Sequence, residues 1–135
     1  MGTFVSLGLT ALLAAACGGG DTSACPEGTE LFAQYDLYMG RSDASGEIVD
    51  DAVWTAFLDE TVTPRFPDGL TVLDAQGRWR GPDGQVQRER SRVLVVLAPP
   101  GGDAARLLDE VSEEYKRRFA QESVLRVVQN ACVSF

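Results

Sequence analysis

The stretch Glu30-Leu-Phe-Ala-Gln-Tyr-Asp-Leu-Tyr-Met39 decides the fold. Leu31, Ala33, Tyr35, Leu37 and Met39 fall on one side of an extended chain, and Phe32, Gln34, Asp36 and Tyr38 on the other. A period of two is that of a β-strand. Gly40-Arg-Ser-Asp-Ala-Ser-Gly46 then breaks the pattern with turn-forming residues.

Beyond that break, Asp50 is placed to cap a helix running to about Val62, with Val53, Trp54, Phe57, Leu58 and Val62 on one face and Pro64 as its stop. Leu70 to Leu97 reads as a long hairpin turning near Gly81-Pro-Asp-Gly84, whose second arm ends in the apolar run Val93-Leu-Val-Val-Leu97. That run suits a central strand. Asp103 opens a second helix to about Ala120, striped by Leu107, Leu108, Val111, Tyr115 and Phe119, and Ser123 to Val128 forms a last short strand. The order β-α-β-β-α-β predicts an α+β, ferredoxin-like domain: a four-stranded antiparallel sheet in the order 4-1-3-2 with two helices on one face. In that topology the residues before strand 1 meet those after strand 4. Cys25 and Cys132 occupy these places, which predicts a disulfide between them; two free thiols are the alternative.

The N-terminus reads differently. Residues 1–16 carry no charge and include the apolar stretch Leu7 to Ala16, of signal-peptide length and too short to span a bilayer. Ala14-Ala-Ala-Cys17 resembles a bacterial lipobox, followed by the flexible spacer Gly18-Gly-Gly-Asp21. The expectation is a signal peptide over 1–16, a lipidated Cys17 with a linker over 17–24, and one domain over 25–135. An ordinary cleaved signal or an uncleaved anchor is the alternative, because Ala14 stands where Leu is usual and no Lys or Arg precedes the apolar run. Removing 16 of the 135 residues leaves 119, enough for one core. Export also places the Cys25–Cys132 pair in an oxidising compartment.

Composition narrows the chemistry. A formal net charge of −8 disfavours nucleic acid and anionic headgroups as partners. The chain has no histidine, so it lacks the usual general base near neutral pH and the commonest nitrogen metal ligand. Asp43, Glu47, Asp50 and Asp51 form an acidic loop, but their spacing is not that of an EF-hand, and solvation and capping account for them better. No phosphate-binding loop, dinucleotide fingerprint or nucleophile elbow is present, so neither a catalytic residue, a metal site nor a cofactor is expected.

Candidate contact residues remain. The sheet face away from the helices would carry Phe32, Gln34, Asp36 and Tyr38, joined by either Leu94 and Val96 or Val93 and Val95. Such a mixed apolar face is rarely left to water. Arg126 would reach it from the last strand and pair with Asp36. In Thr63-Pro-Arg-Phe-Pro-Asp-Gly69, Arg65 and Asp68 form a local ion pair or an anion site. Trp79, between Arg78 and Arg80, either stacks a ligand ring or covers the sheet edge. Structural roles are the commoner outcome for each of these.

Several segments also carry a family resemblance: Asp36-Leu-Tyr-Met-Gly-Arg41, Thr63 to Asp74, Gly77-Arg-Trp-Arg80, Tyr115 to Arg126 and Cys132-Val-Ser-Phe135. Over roughly residues 25–135 the chain resembles a family of small exported bacterial proteins classified as a domain of unknown function. The resemblance implies an envelope protein, often a lipoprotein, and brings no activity or site residue. The expected function is therefore an envelope-anchored binding or interaction module facing the periplasm or exterior, with a homodimer through the open sheet face as the simplest partnership. The rival is a cofactorless enzyme of the dimeric α/β-barrel kind, with Asp36, Tyr38 or Arg126 handling protons or anionic substrates.

Overall fold

A computed structural model describes residues 25–43 and 45–135. The segments expected as a signal peptide (1–16) and as a lipidated Cys17 with its linker (17–24) lie outside the described residues. Strand β1 (Glu30–Gly40) is followed by a two-residue ribbon, β2 (Ser42–Asp43) and β3 (Gly46–Glu47), then helix α1 (Asp51–Phe57). Strands β4 (Thr71–Arg80) and β5 (Val86–Ala98), helix α2 (Ala104–Arg118) and strand β6 (Leu125–Val133) complete the domain. The ribbon is additional to the four strands expected from the sequence. The long strands form one antiparallel sheet in the order β4-β5-β1-β6, and β2-β3 stands apart. With the ribbon set aside, the long strands run second, third, first, fourth across the sheet.

The local reasons are visible at the helix ends. Asp50 is extended, and its carboxylate accepts the backbone N–H of Val53 at 2.8 Å, satisfying one of the first-turn donors that a helix leaves free. Helix α1 passes into a wider π turn over Leu58–Val62 and a 3-10 turn over Thr63–Arg65. Pro64 therefore lies inside the closing 3-10 turn instead of ending the helix before it. On α2 the side chain of Asp103 makes no capping bond, whereas Lys116, Arg117 and Arg118 complement the dipole of the last turn.

Leu37 and Met39 of β1 and Leu94 and Val96 of β5 face the helices and are fully or nearly fully buried. Above them Trp54, Phe57 and Val62 meet Leu108, Val111, Tyr115 and Phe119 in one cluster. Its aromatic centre is edge-to-face: ring centroids are 5.1 Å apart for Phe57 and Tyr115 and 4.8 Å for Tyr115 and Phe119. Each large side chain buried there contributes roughly 1.5–3 kcal/mol. At the far end of the sheet Glu30 pairs with Val133 and Leu31 with Cys132, which brings Cys25 to Cys132. The two are disulfide-bonded, with Cα atoms 5.5 Å apart.

Candidate functional site

Strand register sorts the side chains into two faces with different chemistry. Opposite the helices, Asp36 lies level with Val95 on one side and Val127 on the other; Tyr38 is level with Val93 and Leu125, and Gln34 with Leu97 and Gln129. On the outer strand, Leu73 is level with Val93. Because Leu94 and Val96 belong to the core, the open face takes Val93 and Val95. Tyr38, Leu73, Leu97, Leu125 and Val127 are between 38% and 60% exposed. Phe32 is half-buried and meets the ring of Phe135 edge-on at 5.8 Å. From Phe32 to Tyr38 and across its neighbours this face carries one charged group, Asp36, whose carboxylate accepts a hydrogen bond from the Gln34 amide at 2.9 Å.

Two of the residues expected to matter, Arg126 and Arg65, find other partners than predicted, and Trp79 sits on the outer strand. Arg126 is level with Leu37, so it points to the helix side, where it pairs with Asp109 at 2.6 Å and donates to the Ala105 carbonyl. It does not meet Asp36. Arg65 pairs with Glu110 at 3.2 Å and donates to the Thr61 carbonyl at 2.6 Å, in place of a local pair with Asp68. Trp79, 52% exposed, shares the open side of β4 with Leu73, while Arg78 and Arg80 take the opposite side.

The helix side gathers the charges. Arg41, just after β1, is 1% exposed. Its Nε donates to the Val49 carbonyl at 2.5 Å, and its Nη2 reaches Glu47 at 3.2 Å and Asp51 at 2.9 Å. Arg92 bridges Asp51 at 2.7 Å and also pairs with Asp74, and Arg90 reaches Glu47 at 3.3 Å. The Arg41 hydrogen bond holds the Asp51 carboxyl below its ordinary range, against a smaller opposing effect of burial. Asp43 is held low as well, chiefly by the Ser45 hydroxyl. The Tyr115 hydroxyl donates to the Gly40 carbonyl at 2.7 Å, and burial pushes its ionisation far above that of an ordinary phenol. Nη1 of Arg41 and Nε of Arg92 are buried without a hydrogen-bond partner among the described residues.

Sequence reasoning did not single out Arg41. Its signal is a lone cation at the end of an apolar strand, with Glu47 and Asp51 within ten positions, and nothing in that spacing reveals burial. Chemically the cluster is an internal ion network: each of its arginines already faces a carboxylate. Among the described residues no three His, Cys, Asp or Glu side chains are grouped to hold a metal ion. Two shallow depressions lie on the distal hairpin, one of about 180 Å³ lined by Gln76, Arg78, Arg88 and Arg90 among others, the second of about 240 Å³ beside Asp74. No described helix is long and apolar enough to cross a membrane.

Comparison with known proteins agrees with this picture of a small α+β domain. Residues 34–135 match the family described as "Protein of unknown function (DUF3574)", and the chain belongs to that family. Among solved structures it is similar to a phage SAM lyase in complex with S-methyl-5'-thioadenosine, with a TM-score of 0.58 and 14% identity over 77% of this chain and 90% of that one. It is also similar to a phage SAM lyase in the apo state, at 0.55 and 15% over 80% and 91%. At such identity the likeness is one of fold. No curated protein matches the chain by sequence.

Proposed function

We propose that the protein is an envelope lipoprotein, acylated at Cys17 and facing the periplasm or exterior, whose ferredoxin-like domain with an inserted ribbon is a non-catalytic interaction module. Its contact surface is the open sheet face. The observation that carries this reading is the segregation of chemistry across the middle of one sheet: Arg92 and Arg126 are drawn into ion pairs on the helix side, while between Phe32 and Tyr38 the opposite side leaves Tyr38, Leu73, Leu97, Leu125 and Val127 exposed around a single carboxylate. An apolar area of that breadth is the mark of a contact surface.

Two measurements test it. Cys17→Ser is expected to abolish lipid labelling and release the protein from membranes, and retention of the variant would point to an uncleaved anchor. A photo-crosslinking side chain at Leu125 of the full chain in its native envelope is expected to give a protein adduct, and one at the exposed Glu113 of α2 none. An adduct from Glu113 alone would place the contact surface on the helices.

The fold shared with SAM lyases favours a second reading, a cofactorless enzyme acting on a small molecule. It requires the same face to close over a pocket containing Asp36 and Tyr38. Binding of S-methyl-5'-thioadenosine, lost in Asp36→Asn, would support it over the first.

A further inference from the structure

We infer that the occupant of the open face is a second copy of this chain, stacked sheet to sheet about a two-fold axis near Asp36; the inference rests on the open face being the contact surface. Charge is the first argument. The chain carries a net charge of −8, so two copies repel wherever their charged surfaces approach. Between Phe32 and Tyr38 on β1, Ser91 and Leu97 on β5, Thr71 and Ala75 on β4, and Leu125 and Ala131 on β6, the outward side chains include one carboxylate and no cation. A basic partner would find a single acid to recognise, and an acidic partner no cation. A copy of the same surface needs neither, because apolar contact is not directional.

Area is the second argument. Four strands about 4.8 Å apart and, over these ranges, about five to seven residues long at about 3.3 Å per residue project to roughly 400 Å², so two stacked copies bury on the order of 800 Å² in total, the size of a weak, reversible pair. A two-fold contact uses one patch twice and closes, consuming the whole exposed area without leaving a second sticky surface. Asp36, midway along the face, then comes close to its own counterpart. That is an unfavourable pair, which the Gln34 amide at 2.9 Å moderates in each copy.

The experiment co-expresses two differently tagged full-length chains and measures co-purification in mild detergent, together with the mass of the Leu125 photo-adduct. Wild-type copies are expected to co-purify, and the adduct to have the mass of two chains. Leu73→Glu or Leu125→Glu should lower co-purification at least tenfold. Both positions are at least half exposed, so folding is preserved and circular dichroism verifies it. Asp36→Asn should pair at least as tightly as wild type. Wild-type copies that stay apart, glutamate variants that still pair, or an Asp36→Asn chain that pairs more weakly would each overturn the inference. An adduct to a different protein would overturn the second copy while leaving the open face as the contact surface; no adduct from Leu125 would remove that reading too.

Discussion

The two faces of one sheet differ in what completes them. Leu94 and Val95 are neighbours in the chain, yet Leu94 is sealed beneath α1 and α2 while Val95 looks out beside Asp36. The helix side is closed twice over, by an aromatic core and by a ring of ion pairs around Arg41. Among the described residues no helix lies over the open side. The lesson is that alternation along a strand says both faces are apolar, whereas only the supply of covering elements decides which becomes the core.

The largest expected effect lies at the centre of the covered face. Leu108→Ala, at a position with no exposure, should lower unfolding free energy by about 3 kcal/mol in urea titration, within the range for buried leucines. Leu73→Ala on the open side should change the monomer by less than about 0.5 kcal/mol. Equal losses at the two sites would break the contrast. Replacing Arg41 by Met should cost about 2 kcal/mol, chiefly because the Val49 carbonyl loses its donor, while Glu47 and Asp51 keep Arg90 and Arg92 as partners. A neutral outcome would reduce the ion network to ornament.

A smaller loss is expected for Tyr115→Phe, about 1 kcal/mol, since the ring packing survives while the Gly40 carbonyl loses its donor. Acid should reveal the same network. The Asp51 carboxyl is held below its ordinary value in the folded state, so its stabilising share is complete above about pH 4 and fades as pH falls through the lower folded value. Asp51→Asn should therefore be less stable than wild type near neutrality, with the gap narrowing in unfolding curves taken below about pH 4. A gap independent of pH would assign the loss to packing. The smallest effect concerns the distal hairpin, where Arg78 and Arg88 are directly paired across strands. Arg88→Glu turns that like-charge pair into an opposite one and should raise the melting temperature slightly, by the equivalent of about 0.5 kcal/mol.

Much of this was legible in the sequence because it follows from periodicity. The alternation of Glu30–Met39, the stripe Leu108-Val111-Tyr115 and the apolar run Val93–Leu97 each describe one element facing one core. The cysteines were legible for a different reason: strand pairing brings Cys25 beside Cys132 whatever the loops do. Short-range devices escaped. The β2-β3 ribbon has two residues per strand and depends on the Arg41 carbonyl accepting the N–H groups of Ile48 and Val49, an arrangement with no repeat to detect. Apolar spacing placed Val62 on the buried face, but the π turn after Phe57 displaces the helix register and carries the polar Thr61 into the interior as well, which spacing alone does not show. Arg126 was assigned to the wrong side because a strand's faces exchange with a shift of one residue, and the apolar residues on both sides of it, Leu125 and Val127-Val128, gave no alternation to anchor the parity. The candidate face was legible in its residues, and its extent became clear only once β6 was seen to continue to Val133.

The Cys25–Cys132 bond gives the domain a mechanical property. It joins a residue five positions ahead of the start of β1 to the eighth residue of β6, two strands that lie side by side. A pull on whatever precedes Cys25 is passed through sulfur to both strands at the same end of the sheet, with no force drawn along the chain between them. A reductant would let the same tension peel β1 from its neighbours.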